Sequence, residues 1–387
     1  MSERLRVLLV GRALTTGGAE RQMIHIANGL AARGHQVRLS TFYAVNEFPD
    51  ALDRDRVTWT ALEKTSRWDV AGPIQRLRTL VRRWRPDAIY TFLTPANLLL
   101  TALRPVLPRH ALVWGLRGAD LDLSRYDWLS RLTIRLERRL AWVPDLIIAN
   151  SEAGRRDALA HGFPGDRIRV VPNGIDTDAF SPVTADERRA ARARMGLPRD
   201  ALVVGLVARL DPMKDHETAL RAMARVVRTR DAHLVLAGTG PAEFRRKLEM
   251  FADGLGLAGR AHWLGAAPEV RTVYAAIDVL CLPSAFGEGF PNVIGEAMAC
   301  GVPCVATDVG DSRAVMGGFG VVVPPRDPAA LADGLSRMAD RAADPELGPL
   351  LRRRIVERYS LAAMIERTED LLLAVHRTAK GRPQPPP

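Results

Sequence analysis

The sequence predicts an α/β protein with two doubly wound, Rossmann-like domains. Its 387 residues are more than one domain usually holds, so two are expected. Short apolar runs that end in glycine or proline alternate with helical periodicities, which is typical of parallel strands joined by helices. The alternation stops in residues 177–200, where two prolines flank an Arg/Ala-rich helix, and then begins again.

These observations place an N-terminal domain at residues 1–180 and a C-terminal domain at residues 181–358. A helix at about 359–378 could pack back on the first domain. Residues 379–387, which are rich in proline, are expected to form a disordered tail.

The composition, 47% hydrophobic and 26% charged, is that of an ordinary globular protein. There is no apolar run of about eighteen residues, as a membrane-spanning helix requires, and the first residues lack the apolar region of a secretory signal. We therefore expect a cytoplasmic protein. Cys281, Cys300 and Cys304 match no zinc-binding spacing, so buried, inert thiols in a reducing compartment are predicted.

The formal net charge of +11 suggests an anionic partner, which could be a nucleic acid, a membrane surface or a phosphorylated substrate. The alternative is that the net charge reflects only an Arg-rich composition, with the arginines solvated at the surface. The sequence contains no basic stripe interleaved with aromatic residues and no known nucleic-acid-binding module. Nucleic-acid binding is therefore not expected.

The first domain begins with a strand at residues 5–11, a glycine loop and a helix that Gly34 ends. Gly17 and Gly18 in this loop do not form a dinucleotide fingerprint. They would let a ligand approach the backbone at a helix start, where free N–H groups favour anions. A plain tight turn is the alternative. Further strands are predicted at residues 37–42, 88–92, 111–118 and 146–151.

Two helices of this domain, at residues 73–85 and about 126–142, are basic and amphipathic. The second carries arginines opposite an apolar stripe formed by Leu129, Leu132, Leu136 and Leu140. Such helices can lie on an anionic membrane. The other interpretation is that the stripe packs into the core and the arginines are solvated.

The second domain begins with a strand at residues 201–207 that leads into a loop with two cations, Arg209 and Lys214. Arginine offers a bidentate fork to phosphate and lysine a point charge, so together they could hold a diphosphate and stabilise its departure. The alternative is a capped helix with surface charges. Later strands are predicted at residues 234–238, 262–265, 275–282, 302–307 and 321–323, and a last helix at 361–377.

The stretch 284–303 holds two carboxylates and a helix start. Glu288 lies on a loop after a buried strand, and Glu296 lies on the second turn of a short helix that Pro291 begins. Backbone N–H groups of residues 290–293 favour an anion there. The combination suggests a ligand with hydroxyls and phosphates, whereas a capped core helix with solvated acids is the alternative.

In order and spacing, these motifs resemble the retaining GT-B glycosyltransferases of family 4, which include sucrose synthase, phosphatidylinositol mannosyltransferase and many surface-polysaccharide transferases. The resemblance extends from residue 5 to about residue 320. It implies two Rossmann-like domains that face each other across a cleft. The matching segments are 17–20, 171–176, Arg209 with Lys214, 238–241, 263–265, and Glu288 with Glu296.

The resemblance also implies a role for each matching residue. Arg209 and Lys214 would hold the diphosphate, Glu288 the hydroxyls of the donor sugar, and Glu296 the ribose. Attack from the front face, with the leaving phosphate as base, would need no protein nucleophile and no metal cofactor. The other donor-side positions are Gly17, Gly18, Gly238, Leu264, Gly265, Gly289, Phe290, Pro291, Asn292 and Val293.

One departure from the family concerns the acceptor side. Many relatives carry a histidine after a strand of the first domain, where this sequence has Arg117. Arg117, together with Asn173 of the turn at 171–176, is the acceptor-side candidate. Asp120 and Asp122 form the nearest approach to a metal-binding DxD pair, and we expect them to be surface residues.

The sequence therefore predicts a retaining, metal-independent glycosyltransferase that uses a nucleotide-diphosphate sugar, with UDP favoured over GDP. The expected acceptor is a cell-envelope glycan or a lipid-linked molecule, and the basic helices leave open a peripheral contact with the inner face of the plasma membrane. The alternatives are a nucleotide-sugar epimerase on the same fold and, from another class, a basic nucleic-acid-binding protein.

Overall fold

Two separate parallel sheets organise the chain. The computed structural model describes residues 3–15, 17–119, 127–267 and 269–380. One unit contains the chain up to Gly174 and from Leu361 onward, and the second contains Ile175–Ser360. Each unit is described by itself below.

The sheet of the first unit has seven parallel strands in the order β3-β2-β1-β4-β5-β6-β7. The chain leaves β1 toward one edge and returns to its other side with β4, so the topological switch point lies between these two strands. The strands are β1 (Arg6–Gly11), β2 (Gln36–Thr41), β3 (Val57–Ala61), β4 (Ala88–Phe92), β5 (Ala111–Leu116), β6 (Leu146–Ala149) and β7 (Ile168–Val170). The helices between them are α1 (Gly18–Ala32), α2 (Ala71–Trp84), α3 (Leu93–Leu103), α4 (Trp128–Leu140) and α5 (Glu152–Ala160).

The sheet of the second unit has six parallel strands in the order β10-β9-β8-β11-β12-β13, with its switch point between β8 and β11. The strands are β8 (Leu202–Val207), β9 (Ala232–Ala237), β10 (Ala261–Gly265), β11 (Val279–Leu282), β12 (Cys304–Thr307) and β13 (Val321–Val323). The helices are α6 (Ala185–Arg194), α7 (His216–Val226), α8 (Ala242–Gly254), α9 (Val270–Ala276), α10 (Asn292–Ala299), α11 (Ser312–Met316), α12 (Pro328–Arg341) and α13 (Leu347–Tyr359).

The central strands are buried on both faces, which explains why they read as unbroken apolar runs rather than as alternating patterns. Every residue of β4 and of β11 is buried. Helices cover the sheets, and the largest fully buried side chain is Trp114 on β5, whose indole N–H donates to Thr101 Oγ1 at 3.1 Å. The prediction of two Rossmann-like parallel sheets is confirmed.

The cysteines are buried and carry no disulfide, as predicted. Burial raises the pKa of Cys281 and of Cys300 to about 12, and it raises the pKa of Cys304 as well. The three thiols are therefore protonated at neutral pH and poor nucleophiles.

The two basic helices behave differently from each other. In α2, Leu77 and Val81 are buried and the arginines face outward, so its apolar stripe packs into the core. In α4, Leu132 and Leu136 are 50% and 44% exposed. Of the two interpretations of the α4 stripe, packing into the core therefore does not hold for these two leucines. The first residue predicted for this helix, Tyr126, lies outside the described residues.

The last helix, α14 (Leu361–Lys380), belongs to the first unit and packs against α1. Met364 and Leu372 enter the same core as Ile24 and Leu30. The disordered tail was predicted to begin at residue 379, but residues 379 and 380 are helical. Residues 381–387 lie outside the described residues.

A buried polar contact joins α14 to the start of the chain. His35 Nδ1 accepts from the backbone N–H of Leu5 at 3.1 Å, so its Nε2 carries the proton and donates to Glu369 Oε1 at 2.7 Å. Arg33 donates to the second oxygen of the same carboxylate. Glu369 and His35 are both buried.

Replacing Glu369 should destabilise the first unit. Glu369→Ala leaves the buried N–H of His35 without its acceptor, which should lower the free energy of unfolding by about 2–3 kcal/mol. Glu366→Ala on the exposed side of the same helix is the matched control, with an expected change within about 0.5 kcal/mol. Urea unfolding followed by circular dichroism measures both, and equal effects of the two substitutions would contradict the prediction.

Candidate functional site

The loops that follow β8 and β11 carry the charged groups singled out in the second half of the sequence. These two strands flank the switch point of the second sheet, where ligands of open α/β sheets bind at the carboxyl ends of the strands. Arg209 and Lys214 follow β8, and Ser284, Glu288 and α10 follow β11.

Lys214 and Glu288 form a buried ion pair across this switch point. Their side chains are only 15% and 8% exposed. Ser284 Oγ donates to the same Glu288 oxygen at 2.5 Å, so the carboxylate is held from two sides. A pair of charges removed from water in this way is stable only when both partners are present.

The backbone brings these two loops together. The Ala285 N–H donates to the Met213 carbonyl at 2.8 Å. Gly287 has a φ of +80°, and a Cβ there would lie 2.5 Å from Met213 Sδ. Glycine at this position lets the Glu288 loop lie directly against the Lys214 loop.

The Glu288 loop also packs against the end of β12 and the segment that follows this strand. Gly310, with a φ of +61°, lies so close that a Cβ would be 2.6 Å from the carbonyl oxygens of Glu288 and Gly289. The Asp311 N–H donates to the Gly289 carbonyl at 3.0 Å, and Thr307 Oγ1 donates to the Ser284 carbonyl at 2.6 Å. The position of Glu288 is therefore set by backbone contacts on both sides of its loop.

Glu296 lies on α10 and is buried. The hydroxyl of Tyr274, which is fully buried on α9, donates to Glu296 Oε2 at 2.8 Å. Each carboxylate oxygen can accept two hydrogen bonds, so this contact orients Glu296 without using up its accepting capacity.

The helix α10 begins at Asn292, one residue later than predicted, because Pro291 occupies the cap position. Proline offers no side-chain acceptor, and no side-chain cap is formed. Asn292 and Val293 are half-buried at this helix start, where the backbone favours an anion. The preceding Phe290 is buried and its ring lies 5.3 Å from that of Tyr359.

Arg209 is exposed and, among the residues that the structure describes, has no hydrogen-bond or ion-pair partner. Its loop packs backbone to backbone against the loop after β9. A Cβ on Gly238 would lie 1.9 Å from the Ala208 carbonyl oxygen, and the Gly238 N–H donates to the Gly265 carbonyl at 2.7 Å. Gly238 and Gly265 thus align the ends of β8, β9 and β10, and Leu264 lies half-buried beside them.

In the first unit, Gly17 and Gly18 lie after β1, at the switch point of that sheet. Gly17 caps α1, and a Cβ there would lie 2.2 Å from the Glu20 carboxylate. Gln22 on the same helix exchanges two hydrogen bonds with the backbone of Gly174, at 2.9 and 3.0 Å. These bonds tie the start of α1 to the turn that contains Asn173.

The two acceptor-side candidates meet although they lie 56 residues apart. Arg117 Nη1 donates to Asn173 Oδ1 at 3.1 Å, and Nη2 donates to the Tyr90 hydroxyl at 2.7 Å. The guanidinium also lies 4.4 Å from the centre of the Phe92 ring. Burial raises the pKa of Tyr90, so it stays a neutral acceptor for Arg117. Arg117 is therefore held in place rather than extended into solvent.

Sequence reasoning missed the residues that position the charged groups. Tyr90, Tyr274 and Ser284 each contact one of the predicted residues, but each lies in an apolar run or a loop with no recognisable spacing. Among the described residues, no group of three or more His, Cys, Asp or Glu side chains could hold a metal. Asp120 and Asp122, predicted to be surface residues, lie outside the described residues.

His216, the first residue of α7, is buried two residues after Lys214. Neither ring nitrogen has a hydrogen-bond partner within the described chain. Burial lowers the pKa of His216 to about 4, and the charge of Lys214 acts in the same direction while Asp211 opposes it. Its imidazole is therefore neutral at physiological pH.

The lowered pKa of His216 predicts a pH dependence of stability. Between about pH 6.5 and pH 4 the unfolded chain binds a proton that the folded chain does not. The free energy of unfolding should therefore fall as the pH is lowered through this window, by up to about 3 kcal/mol from this residue. His216→Leu should flatten the curve by that amount in urea titrations at successive pH values, whereas parallel curves for the two proteins would contradict it.

Comparison with known proteins identifies the family. The model of glycosyl transferases group 1 matches residues 201–341, and the model of glycosyltransferase family 4 matches residues 16–179. The chain belongs to the group 1 glycosyltransferases. The resemblance read from the glycine loop, the Arg209–Lys214 pair and the two glutamates is thereby confirmed at the level of the family.

Curated relatives of this family include the D-inositol 3-phosphate glycosyltransferases of Mycobacterium tuberculosis and Mycobacterium bovis. They are 34% identical to this chain over 254 residues, which is 63% of this chain and 51% of the relative. The chain therefore spans about half the length of the curated relatives it matches.

Solved structures of the same fold cover nearly the whole chain. The Anabaena protein HepE in complex with UDP-glucose has a TM-score of 0.84 at 21% identity, and the aligned region covers 96% of this chain and 100% of the HepE chain. Sucrose-phosphate synthase from Thermosynechococcus elongatus has a TM-score of 0.81 at 23% identity, with 97% and 100% covered. The lipopolysaccharide outer core galactosyltransferase WaaB has a TM-score of 0.71 at 18% identity, with 96% and 99% covered. These likenesses show that the group 1 chain has the GT-B fold.

Proposed function

We propose that the protein is a retaining glycosyltransferase that transfers a sugar from a UDP-sugar to a cell-envelope glycan or a lipid-linked acceptor. The observation that carries this proposal is the cluster at the switch point of the second sheet. There, Lys214, Glu288 and Ser284 form one buried network, and Glu296 lies on the helix that follows.

In this proposal the second unit binds the donor. Arg209 and Lys214 neutralise the diphosphate and stabilise the charge that develops when it leaves. The start of α10, at Asn292 and Val293, adds backbone N–H groups to the same anion. Glu296 accepts hydrogen bonds from the ribose hydroxyls.

Glu288 contacts the hydroxyls of the donor sugar. Before the donor binds, Lys214 neutralises Glu288, so the lysine must exchange part of this contact for the diphosphate. The leaving phosphate takes the proton of the acceptor hydroxyl, and the new bond forms on the face that the diphosphate leaves. Neither Glu288 nor Glu296 acts as a nucleophile, and the two cations make a metal ion unnecessary.

The proposal of UDP rests on family frequency and on the solved complexes of Anabaena HepE with UDP and with UDP-glucose. The proposal of an envelope acceptor draws on the structural likeness to WaaB, a lipopolysaccharide outer core galactosyltransferase. Arg117 and Asn173 in the first unit are the acceptor-side residues of this proposal.

A thermal-shift panel of UDP-, GDP- and ADP-sugars tests the donor. A ligand that binds only the folded protein raises its melting temperature, so UDP-sugars should raise it most. The nucleotide sugar that stabilises the protein most is then incubated with it in the presence and absence of EDTA, which tests whether a metal ion is needed. The anomeric configuration of the product is determined by NMR. An isomerised donor in the absence of acceptor would instead support an epimerase, and no shift with any nucleotide sugar would contradict the proposal.

We also propose a peripheral contact with an anionic membrane. None of the helices in the described part of the chain has the length and apolarity needed to cross a bilayer. The outer side of α4 exposes Leu132, Leu136 and Trp128 beside Arg131 and Arg135. Exposed leucines and tryptophan flanked by arginines suit the interface of an anionic membrane.

A second aromatic residue lies beside the start of α4. Arg67 makes a bidentate ion pair with Asp127, at 2.9 and 3.3 Å, which holds the neighbouring loop at this helix end. Trp68 on that loop is 75% exposed. The proposed contact therefore uses α4 and this loop, whereas the apolar stripe of α2 is buried.

Vesicle sedimentation tests the membrane contact. The protein should bind vesicles with phosphatidylglycerol more strongly than neutral vesicles, and added salt should weaken the binding. Leu132→Gln with Leu136→Gln should remove most of it, while Met250→Gln, an equally apolar exposed site in the second unit, should not. Binding that is unchanged in the double variant would contradict the contact.

A further inference from the structure

The orientation of α4 differs from the one that its amphipathic sequence suggests. Within α4, which the structure describes throughout, Glu137 is the one buried residue. Two leucines of the apolar stripe, Leu132 and Leu136, are exposed, whereas Leu129 and Leu140 are half-buried. Turning a carboxylate inward and leucines outward is unfavourable unless each side has a partner of its own.

The inward side of α4 lines a cavity of about 330 Å³. The cavity lies wholly in the first unit, between α4, α5, the first turn of α3 and the end of β5 with the residues that follow it. Its volume is at the lower end of the range for small-molecule sites. The polar side chains of α4 that line it are Ser130, Thr133, Glu137 and Arg138.

Glu137 is positioned by two hydrogen bonds from α3. Thr94 Oγ1 donates to one carboxylate oxygen at 2.7 Å, and Asn97 Nδ2 donates to the other at 2.6 Å. Asn97 is in turn held by Thr91 Oγ1 at 2.5 Å. A carboxylate has about four acceptor positions, so Glu137 keeps capacity for further donors on its cavity side.

The remaining walls of the cavity combine apolar surface with balanced charge. Leu93, Ile134 and Phe163 supply apolar surface. Arg117 is already bonded to Tyr90 and Asn173. His161, which directly follows α5, lies 3.3 Å from Asp157. Two arginines, Arg117 and Arg138, thus stand beside two carboxylates, Glu137 and Asp157. Because positive charge is not in excess, the lining does not favour an anionic ligand.

The rim of the cavity contains a strained residue. Leu93, the first residue of α3, directly follows β4 and has a φ of +70°, a conformation that is costly for a bulky side chain. Strain of this kind persists only where the surrounding structure requires it, and it is concentrated at ligand sites. It turns the chain so that Thr94 reaches Glu137.

We propose that this cavity binds the neutral, hydroxyl-rich ring of the acceptor, a sugar or cyclitol without phosphate. The ring hydroxyls would donate to Glu137 and to the hydroxyls of Ser130 and Thr133, while its C–H faces pack on the apolar walls. This inference rests on the proposed transferase function for the identity of the ligand as acceptor. The binding of the ring itself can be tested without any turnover.

The test compares the full chain with two variants that fill the cavity, Thr133→Leu and Ser130→Leu. Thr378→Leu, at an exposed position of α14 in the same unit, is the matched control. Binding of methyl glucoside, methyl galactoside, methyl mannoside and myo-inositol is measured by saturation-transfer NMR. UDP binding by each protein is measured in parallel as a check on folding and on the donor site.

The wild type and the control should bind at least one of these probes, and each filled variant should weaken that binding at least tenfold while UDP affinity stays within about twofold. No probe binding by the wild type would overturn the inference, as would wild-type affinity in both filled variants. Stronger binding of glucose 1-phosphate than of methyl glucoside would overturn the inference that the ligand is neutral. If the wild type binds a probe in the cavity but no nucleotide sugar, the transferase proposal fails while the polyol site stands.

Discussion

Lys214→Met is expected to lower kcat for sugar transfer by about 10²–10³-fold, the loss that follows removal of one group that stabilises a transition-state charge. Methionine keeps the length of the side chain but removes the cation that faces the leaving diphosphate. Steady-state kinetics with the donor found in the thermal-shift panel measure the effect. The KM for the donor should change less than kcat, because the charge on the bridging oxygen develops mainly in the transition state.

The control for this substitution is Lys247→Met on α8, where the lysine forms an exposed pair with Glu217. It should change kcat less than about twofold, since exposed pairs contribute little. Transfer at the wild-type rate by Lys214→Met would contradict the assignment.

Measuring the free energy of unfolding distinguishes the loss of a catalytic group from the loss of folded protein in this experiment. Lys214→Met leaves Glu288 buried without its partner, which should cost about 3–5 kcal/mol of unfolding free energy. Adding Glu288→Gln removes the unpaired charge and should recover most of that loss, but not the activity. A double variant that regained transfer would show that the first loss was structural.

Glu296→Gln is expected to weaken UDP binding by about 10–100-fold, because hydrogen bonds to a charged acceptor contribute about 1.5–3 kcal/mol. Isothermal titration with UDP, which carries no sugar, isolates the nucleotide part of the site. Glu288→Gln should leave UDP affinity within about threefold and lower transfer instead. The two glutamates would then separate into a nucleotide residue and a sugar residue.

Two further variants of the protein make this comparison more specific. Tyr274→Phe removes the hydroxyl that orients Glu296 and should weaken UDP binding by less than about tenfold, because the carboxylate that accepts from the ribose is still present. Glu249→Gln on α8, where the carboxylate pairs with Arg245, is the half-exposed control. Equal UDP affinities for Glu296→Gln and for the control would rule out the ribose role.

Much of the fold could be predicted because the central strands are buried on both faces. Such strands read as continuous apolar runs, as in residues 88–92, and their ends are marked by glycine or proline. The edge strand β3 (Val57–Ala61) is not among the predicted strands, although threonine alternates with apolar residues in it, because the run is only five residues long and has no boundary signal. Its place in the sheet comes from pairing with β2, which no local pattern records.

The donor-side residues could be predicted for a different reason. Parallel strands end at one edge of a sheet, so charged residues that directly follow β8 and β11 must lie near each other once those strands are neighbours. The residues that hold them in place could not be predicted this way. Ser284, Tyr274 and Tyr90 act through single hydrogen bonds, and their partners are set by loop and helix positions that spacing does not encode.

The sequence by itself determined the two Rossmann-like sheets, the glycine loop after β1 and the ordered set of cations and carboxylates in the second half, because each follows from local periodicity and from residues next to strand ends. Only the tertiary structure decided which side of α4 faces the core, and that Arg117 is held by Tyr90 and Asn173. Helical periodicity defines a stripe but not the surface that covers it. That surface is supplied by α3, α5 and the strand ends. The helix α3 contributes the polar partners of Glu137, and Leu132 and Leu136 of α4 remain exposed.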